Sequence, residues 1–187
     1  MTDKILIVIP SLEPDEKLVE LTGELKREGF SHILIVNDGS GPAYDDIFAR
    51  AVAEGDCRLL THSVNQGKGR AMKTAFNEFL LHPDGCEGVV TVDSDGQHRP
   101  ADIRKCCEAL LAHPDSLILG SRNFDEKGVP LKSSFGNKLT RKIFGFLSGI
   151  HIRDTQTGLR GFSPALVRRF LSTPGERFEY EMNMLMD

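Results

Sequence analysis

GVVTVDSDGQH, residues 88–98, is an apolar run that ends in acid. Valines and a threonine in close succession favour extended chain with both faces covered. Asp93 and Asp95 cannot follow them into a core cheaply, because an unpaired carboxylate loses its hydration there. The run is therefore read as a buried strand, 88–92, whose carboxyl end emerges at a solvated edge. In extended chain, residues two apart point the same way, so both carboxylates can face one ligand.

The same strand-then-polar pattern recurs on either side. KILIVI (4–9), HILIV (32–36), residues 58–62 and SLILG (116–120) are further strand candidates. Helical spacing fills the gaps. Leu18, Leu21 and Leu25 form one stripe, with Pro14 in its first turn and Gly29 at its end. A weaker helix covers about 44–54. NQGKGR (65–70) leads into a helix with Ala71, Ala75, Phe76, Phe79 and Leu80 on one face. Pro100 opens another, with Ile103, Cys106, Cys107, Leu110 and Leu111 inward.

Strands separated by helices mean βαβ units and a mainly parallel sheet in an α/β fold. Ligands of such sheets collect beyond the carboxyl ends of the strands. PSLEP, NDGSG, SVNQGKG, DSDGQH and GSRN all fall on that one edge. Past residue 122 the rhythm changes. Residues 132–149 carry Phe135, Leu139, Ile143 and Phe146 at helical spacing with Lys138, Arg141 and Lys142, and DTQTGLRGF (154–162) reads as a polar loop running into a short strand.

The 187 residues are read as one domain, 1–187. MNMLMD stops within helical periodicity, as in a truncated chain or one module of a longer protein. A net charge of −4 gives no global field for nucleic acid. The four cysteines form no C-x-x-C pair and suit a reduced cytosolic protein. The first apolar run is too short for a signal peptide, and no run is long enough to span a membrane.

Asp93 and Asp95, with the Gln97 amide oxygen at the same turn, are hard ligands suited to Mg²⁺ or Mn²⁺. A solvated turn explains a bare D-x-D equally well, and position on the ligand edge favours the functional reading. Asp38 in VNDGS suits a nucleobase or ribose hydrogen bond, or else an Asx-turn. NQGKGR puts glycines at a helix start with Lys68 and Arg70, which suits an anion. It lacks the spacing of a Walker A loop, and no G-x-G-x-x-G follows the first strand. Arg122 suits a phosphate or a surface ion pair.

Taken in order, IVIPSLEPDEKL, VNDGS, NQGKGRA, VDSDGQH, GSR and DTQTGLRGF resemble the motifs of inverting family 2 glycosyltransferases over roughly residues 4–187. The similarity is greatest to the dolichol- or polyprenyl-phosphate sugar synthases. The resemblance implies a three-layer GT-A, Rossmann-like nucleotide-diphospho-sugar transferase fold and a UDP- or GDP-linked sugar donor. Pro10 and its loop would line the nucleotide pocket, with Glu13 in that loop, and Asp38 would bind the base. Asp93 would lie near the ribose or metal. Asp95 and Gln97 would hold Mg²⁺ or Mn²⁺ against the donor diphosphate. Arg122 would grip an acceptor phosphate with Lys132 or Ser134. The first loop departs from the family's I-P-x-Y-N-E pattern, because Leu12, Glu13 and Pro14 stand in its last three positions. Asn37 replaces a common Asp, and Arg99 a frequent proline.

The implied reaction is sugar transfer with inversion, the cation and Lys68 stabilising the departing diphosphate. A polyprenyl phosphate is already ionised and attacks without a base. A hydroxyl acceptor needs one, for which Asp154 is the first candidate and Glu179 and Glu181 follow. The basic stripe at 133–149 suits peripheral contact with the cytoplasmic face of a membrane, or packs on the sheet with its lysines solvated. A sugar nucleotidyltransferase and a noncatalytic sugar-nucleotide-binding module are the competing readings.

Overall fold

A computed structural model describes residues 2–120 and 158–186. Arg122, Lys132, Ser134, Asp154 and the stripe at 133–149 lie outside the described residues.

Six strands form one sheet: β1 (Ile5–Ser11), β2 (Ile33–Asn37), β3 (Arg58–Thr61), β4 (Gly88–Thr91), β5 (Ile118–Leu119) and β6 (Arg160–Phe162). Their order is β3-β2-β1-β4-β6-β5. The pairs β1–β2, β1–β4 and β2–β3 are parallel, while β6 runs antiparallel to both β4 and β5. The sheet is thus mainly parallel, as the alternation of elements predicts.

Period-two geometry explains why the central strands are apolar throughout. One face of β1, β2 and β4 presents Ile5, Ile7, Ile9, Ile33, Ile35 and Val90 to α1 (Glu16–Arg27), α2 (Asp45–Gly55) and α4 (Pro100–Ala112). The other presents Leu6, Val8, Leu34, Val36 and Val89 to α3 (Lys68–Leu81), α5 (Pro164–Phe170) and α6 (Glu179–Asn183). Phe162 adds edge-to-face contacts with Phe76 and Phe170 at centroid distances of 5.1 and 5.8 Å. Three layers result, with a core on each face of the sheet.

The helix stripes fall where the spacing predicts, with corrections at the ends. Pro14 precedes α1 instead of lying in its first turn. Asp15 is the N-cap, its carboxylate accepting from the Lys17 N–H at 3.0 Å, so the helix starts only after it. Gly29 ends α1 as expected. It takes a φ of 82°, with its N–H on Lys26 and the Phe30 N–H on Leu25. β5 is two residues long, not five, because its partner among the described residues, β6, offers only three.

All four cysteines are free and buried. Burial pushes the thiols of Cys57, Cys106 and Cys107 up to about 12 and that of Cys86 to about 11. A buried thiol held protonated is a poor nucleophile. None of the four should react with Ellman's reagent in the native protein, and all four should react once denaturant unfolds it; titration of released thiolate checks this.

Candidate active site

Chain order reverses between β1 and β4: β2 and β3 lie to one side of β1, β4 to the other. Such a switch point leaves a crevice outside the carboxyl ends of the two strands. A cleft of about 400 Å³ lies there, lined by Pro10 and Ser11 at the end of β1 and Leu12 after it, Asp38 after β2, Asn65, Gly67 and Lys68 before and at the start of α3, and Asp93, Ser94 and Asp95 after β4. Arg177 and Phe178, just before α6, close one side.

Asp93 and Asp95 share this cleft in different settings. Asp93 is only 27% exposed at its side chain and receives the Lys68 ammonium at 2.7 Å, with His98 Nε2 3.9 Å away. Burial alone would raise its pKa. His98 and Lys68 outweigh that and hold the carboxyl well below the ordinary range. Asp95 is exposed in the turn that follows, where its Oδ1 accepts the Gln97 N–H at 3.0 Å and Gly96 takes a φ of 74°. Gln97 does not line the cleft; it lines a second cavity of about 280 Å³ with His98. The strand has ended at Thr91, so a turn, and not extended pleating, brings the two carboxylates to one cavity.

Lys68 Nζ also lies 3.1 Å from Glu181, which α6 carries in from the far end of the sequence. Burial lowers the pKa of an ammonium, but Glu181 and Asp93 together raise it. Arg160, fully buried on β6, donates from Nη1 to the Glu181 carbonyl at 2.7 Å and sets Nη2 3.7 Å from its carboxylate. Glu181 is therefore engaged by two cations behind the cleft wall, a poor position for a base. Glu179 accepts the backbone N–H groups of Glu176 and Arg177, which hold its carboxyl below the ordinary range and make it a capping group.

Asp38 is buried and spoken for. Oδ1 accepts the Gln66 N–H at 3.0 Å and lies 2.8 Å from His62 Nδ1; Oδ2 accepts the Gly67 N–H at 2.8 Å. His62 reaches Thr74 with its other nitrogen at 2.9 Å. The loop before α3 thus differs from the open anion cradle that its glycines suggest. Its N–H groups at Gln66 and Gly67 bind Asp38, the Arg70 N–H binds the Glu176 carbonyl, and the Arg70 guanidinium pairs with Glu176 at 2.7 Å. Lys68 is the cation of this loop that reaches the cleft. Glu13 has a φ of 49° and donates its N–H to Ser40 Oγ; it is exposed and does not line the cleft.

Sequence reading missed Ser11, His62, Gly158 and Arg160, and gave no role to Arg177 or Phe178. No spacing signal links these positions to the acids, because β6 and α6 arrive by long-range packing. Gly158 is the clearest case. A Cβ there would sit 2.0 Å from Asp93 Oδ2. Gly158→Ala should displace the Asp93 carboxylate, cost about 1–3 kcal/mol through overpacking, and abolish any thermal shift on adding nucleotide with Mn²⁺. Differential scanning fluorimetry with and without ligand measures both effects.

Among the described residues, no three His, Cys, Asp or Glu side chains converge on one metal position. The two cleft aspartates match a hard divalent cation that takes one or two carboxylates and completes its shell with substrate oxygens. No helix among the described residues is long and apolar enough to cross a membrane.

The α/β fold with its six-stranded, mostly parallel sheet matches that of GT-A glycosyltransferases. Glucosyl-3-phosphoglycerate synthase from Mycobacterium tuberculosis, solved with Mn²⁺, UDP-glucose and phosphoglyceric acid, superposes with a TM-score of 0.75 at 19% identity, over 98% of this chain and 64% of that one. The family model for glycosyl transferase family 2 matches residues 7–172, and the chain belongs to that family. Among its relatives is UDP-N-acetylglucosamine--dolichyl-phosphate N-acetylglucosaminyltransferase of Methanococcus voltae, 28% identical, covering 90% of this chain and 73% of that protein. Another is polyprenol monophosphomannose synthase of Mycolicibacterium smegmatis, 29% identical, covering 86% of this chain and 62% of that protein.

Proposed function

We propose that this family 2 glycosyltransferase moves a sugar from a UDP- or GDP-linked donor to a polyprenyl phosphate, with inversion, at the cytoplasmic face of a membrane. The observation that carries the reading is the single cleft holding Asp93, Asp95 and Lys68 at the β1–β4 switch point. The names of the two relatives supply the acceptor class.

Asp93 and Asp95 would hold Mg²⁺ or Mn²⁺, with Gln97 in the turn beside them. Such a cation, when bound, neutralises charge on the departing diphosphate. Lys68, kept ionised by Asp93 and Glu181, adds a positive charge at the same wall of the cleft. Pro10 and Asp38 shape the nucleotide end, Asp38 by fixing the loop that carries Lys68. Arg122, Lys132 and Ser134 are assigned to the acceptor phosphate. An ionised phosphate attacks without proton removal, so Asp154 acts by orienting the acceptor.

Incubation with radiolabelled UDP- and GDP-sugars and an undecaprenyl or dolichyl phosphate in detergent tests this. Label in the lipid fraction with release of nucleoside diphosphate is expected. Release of pyrophosphate would mean nucleotidyl transfer, and donor binding without product would mean a binding module.

A further inference from the structure

Phe178 is 74% exposed, yet the backbone on both sides of it is hydrogen-bonded. Before it, the Glu176 and Arg177 N–H groups donate to the Glu179 carboxylate, and after it Tyr180 donates its N–H to the Arg177 carbonyl. The segment before it is clamped to the start of α3. Arg70 pairs with Glu176 through main chain and side chain, and Gly67 and Gly69 are so close to residues 176–177 and Tyr180 that a Cβ on either would overlap them. Tyr180 and Met184 turn into the core, whereas Phe178 turns to the cleft. It is the one aromatic residue among the described residues that line it. A rigid mount that presents a bare aromatic face to a ligand cavity costs little entropy on binding.

A second, independent feature lies in the same cavity. Ser11, at the end of β1, is 3% exposed, and its Oγ has no hydrogen-bond partner among the described residues. A buried hydroxyl without a partner costs stability unless a ligand supplies one. Asp38, the neighbouring polar group, is occupied by His62 and by the Gln66 and Gly67 N–H groups of the segment before α3.

We propose that Phe178 and Ser11 are the base-recognising pair of this cleft: the ring of Phe178 stacks on the donor's nucleobase and Ser11 Oγ hydrogen-bonds its edge. This rests on the nucleoside-diphosphate-sugar reading above. A planar heterocycle with polar edges is the part of such a donor that takes both contacts, because every base has a π-face for stacking and edge groups for hydrogen bonds. The sugar and diphosphate have no such face.

The chain contains no tryptophan, so Phe178→Trp introduces a single indole at the site in question. Its emission should be quenched saturably by UDP or GDP in the presence of Mn²⁺, and not by inorganic pyrophosphate, which has the phosphates without the base. Phe178→Ala should weaken nucleotide binding about tenfold by calorimetry, with an unchanged melting temperature because the ring is exposed. Ser11→Ala should weaken it about fivefold while leaving the melting temperature equal or higher, since an unpaired buried hydroxyl is removed. Suppose the wild type binds nucleotide, the indole does not respond, and both alanine variants bind as the wild type does. The pairing is then overturned and the donor reading stands. Equal quenching by pyrophosphate overturns it too. Absence of any nucleotide binding by the wild type overturns the donor reading and this inference together.

Discussion

Asp95→Asn is expected to reduce sugar transfer by about 10²–10³-fold, the usual cost of losing one group that stabilises developing charge. The fold should survive. Asp95 is exposed, and its hydrogen bond within the described residues runs from the Gln97 N–H to Oδ1, an acceptor that asparagine keeps. The substitution therefore removes charge and leaves the turn intact. Melting temperature without ligand should match the wild type, and the added shift produced by Mn²⁺ with nucleotide should vanish. Full turnover in this variant would remove Asp95 from the proposed cation site.

Lys68→Met should have the largest effect on stability, a loss of roughly 3 kcal/mol at about pH 7, at the low end for breaking a buried ion pair because the site is partly open. The ammonium is shared by Asp93 at 2.7 Å and Glu181 at 3.1 Å, and methionine leaves both carboxylates without it. The pH dependence identifies the cause. In the wild type, Asp93 titrates below its unfolded value, so its contribution is present above about pH 4 and fades only as pH falls through the lower folded value. Without Lys68, burial, which raises the Asp93 pKa, is opposed by His98 alone, so the folded value lies above that of the wild type. The penalty is then full at neutral pH and shrinks as pH falls through that raised value. Urea unfolding of both proteins at about pH 7 and about pH 4.5 should show the gap narrowing in acid. A gap independent of pH would mean lost packing by the lysine stem, not lost pairing.

Arg177 and Phe178 show where sequence reading stopped. They sit just before MNMLMD, whose helical periodicity says nothing about what the residues ahead of it face. Their place beside Asp38 and Asp95 depends on α6 crossing α3, and that depends on Gly67 and Gly69 admitting the 176–180 backbone at close range. Asp38 illustrates the converse. Its position after β2 was legible, whereas the donors it serves come from a loop 28 residues on.

Local chemistry along the chain was enough for the layers. Valine- and isoleucine-rich runs of strand length, separated by stripes at helical spacing, admit a mainly parallel sheet with both faces covered, and they place every polar loop at a known end of its strand. Asp93 and Asp95 were legible as cleft residues for the same reason: carboxylates directly after a buried strand must emerge at its carboxyl end. The order β3-β2-β1-β4-β6-β5, the antiparallel insertion of β6 and the delivery of Glu181 to Lys68, of Arg160 to Glu181 and of Gly158 to Asp93 were settled only by the tertiary structure. Hydrophobic periodicity records which face of an element is buried, not which element buries it. Ion pairs between residues as far apart as 68 and 181 form only once packing has chosen among those partners.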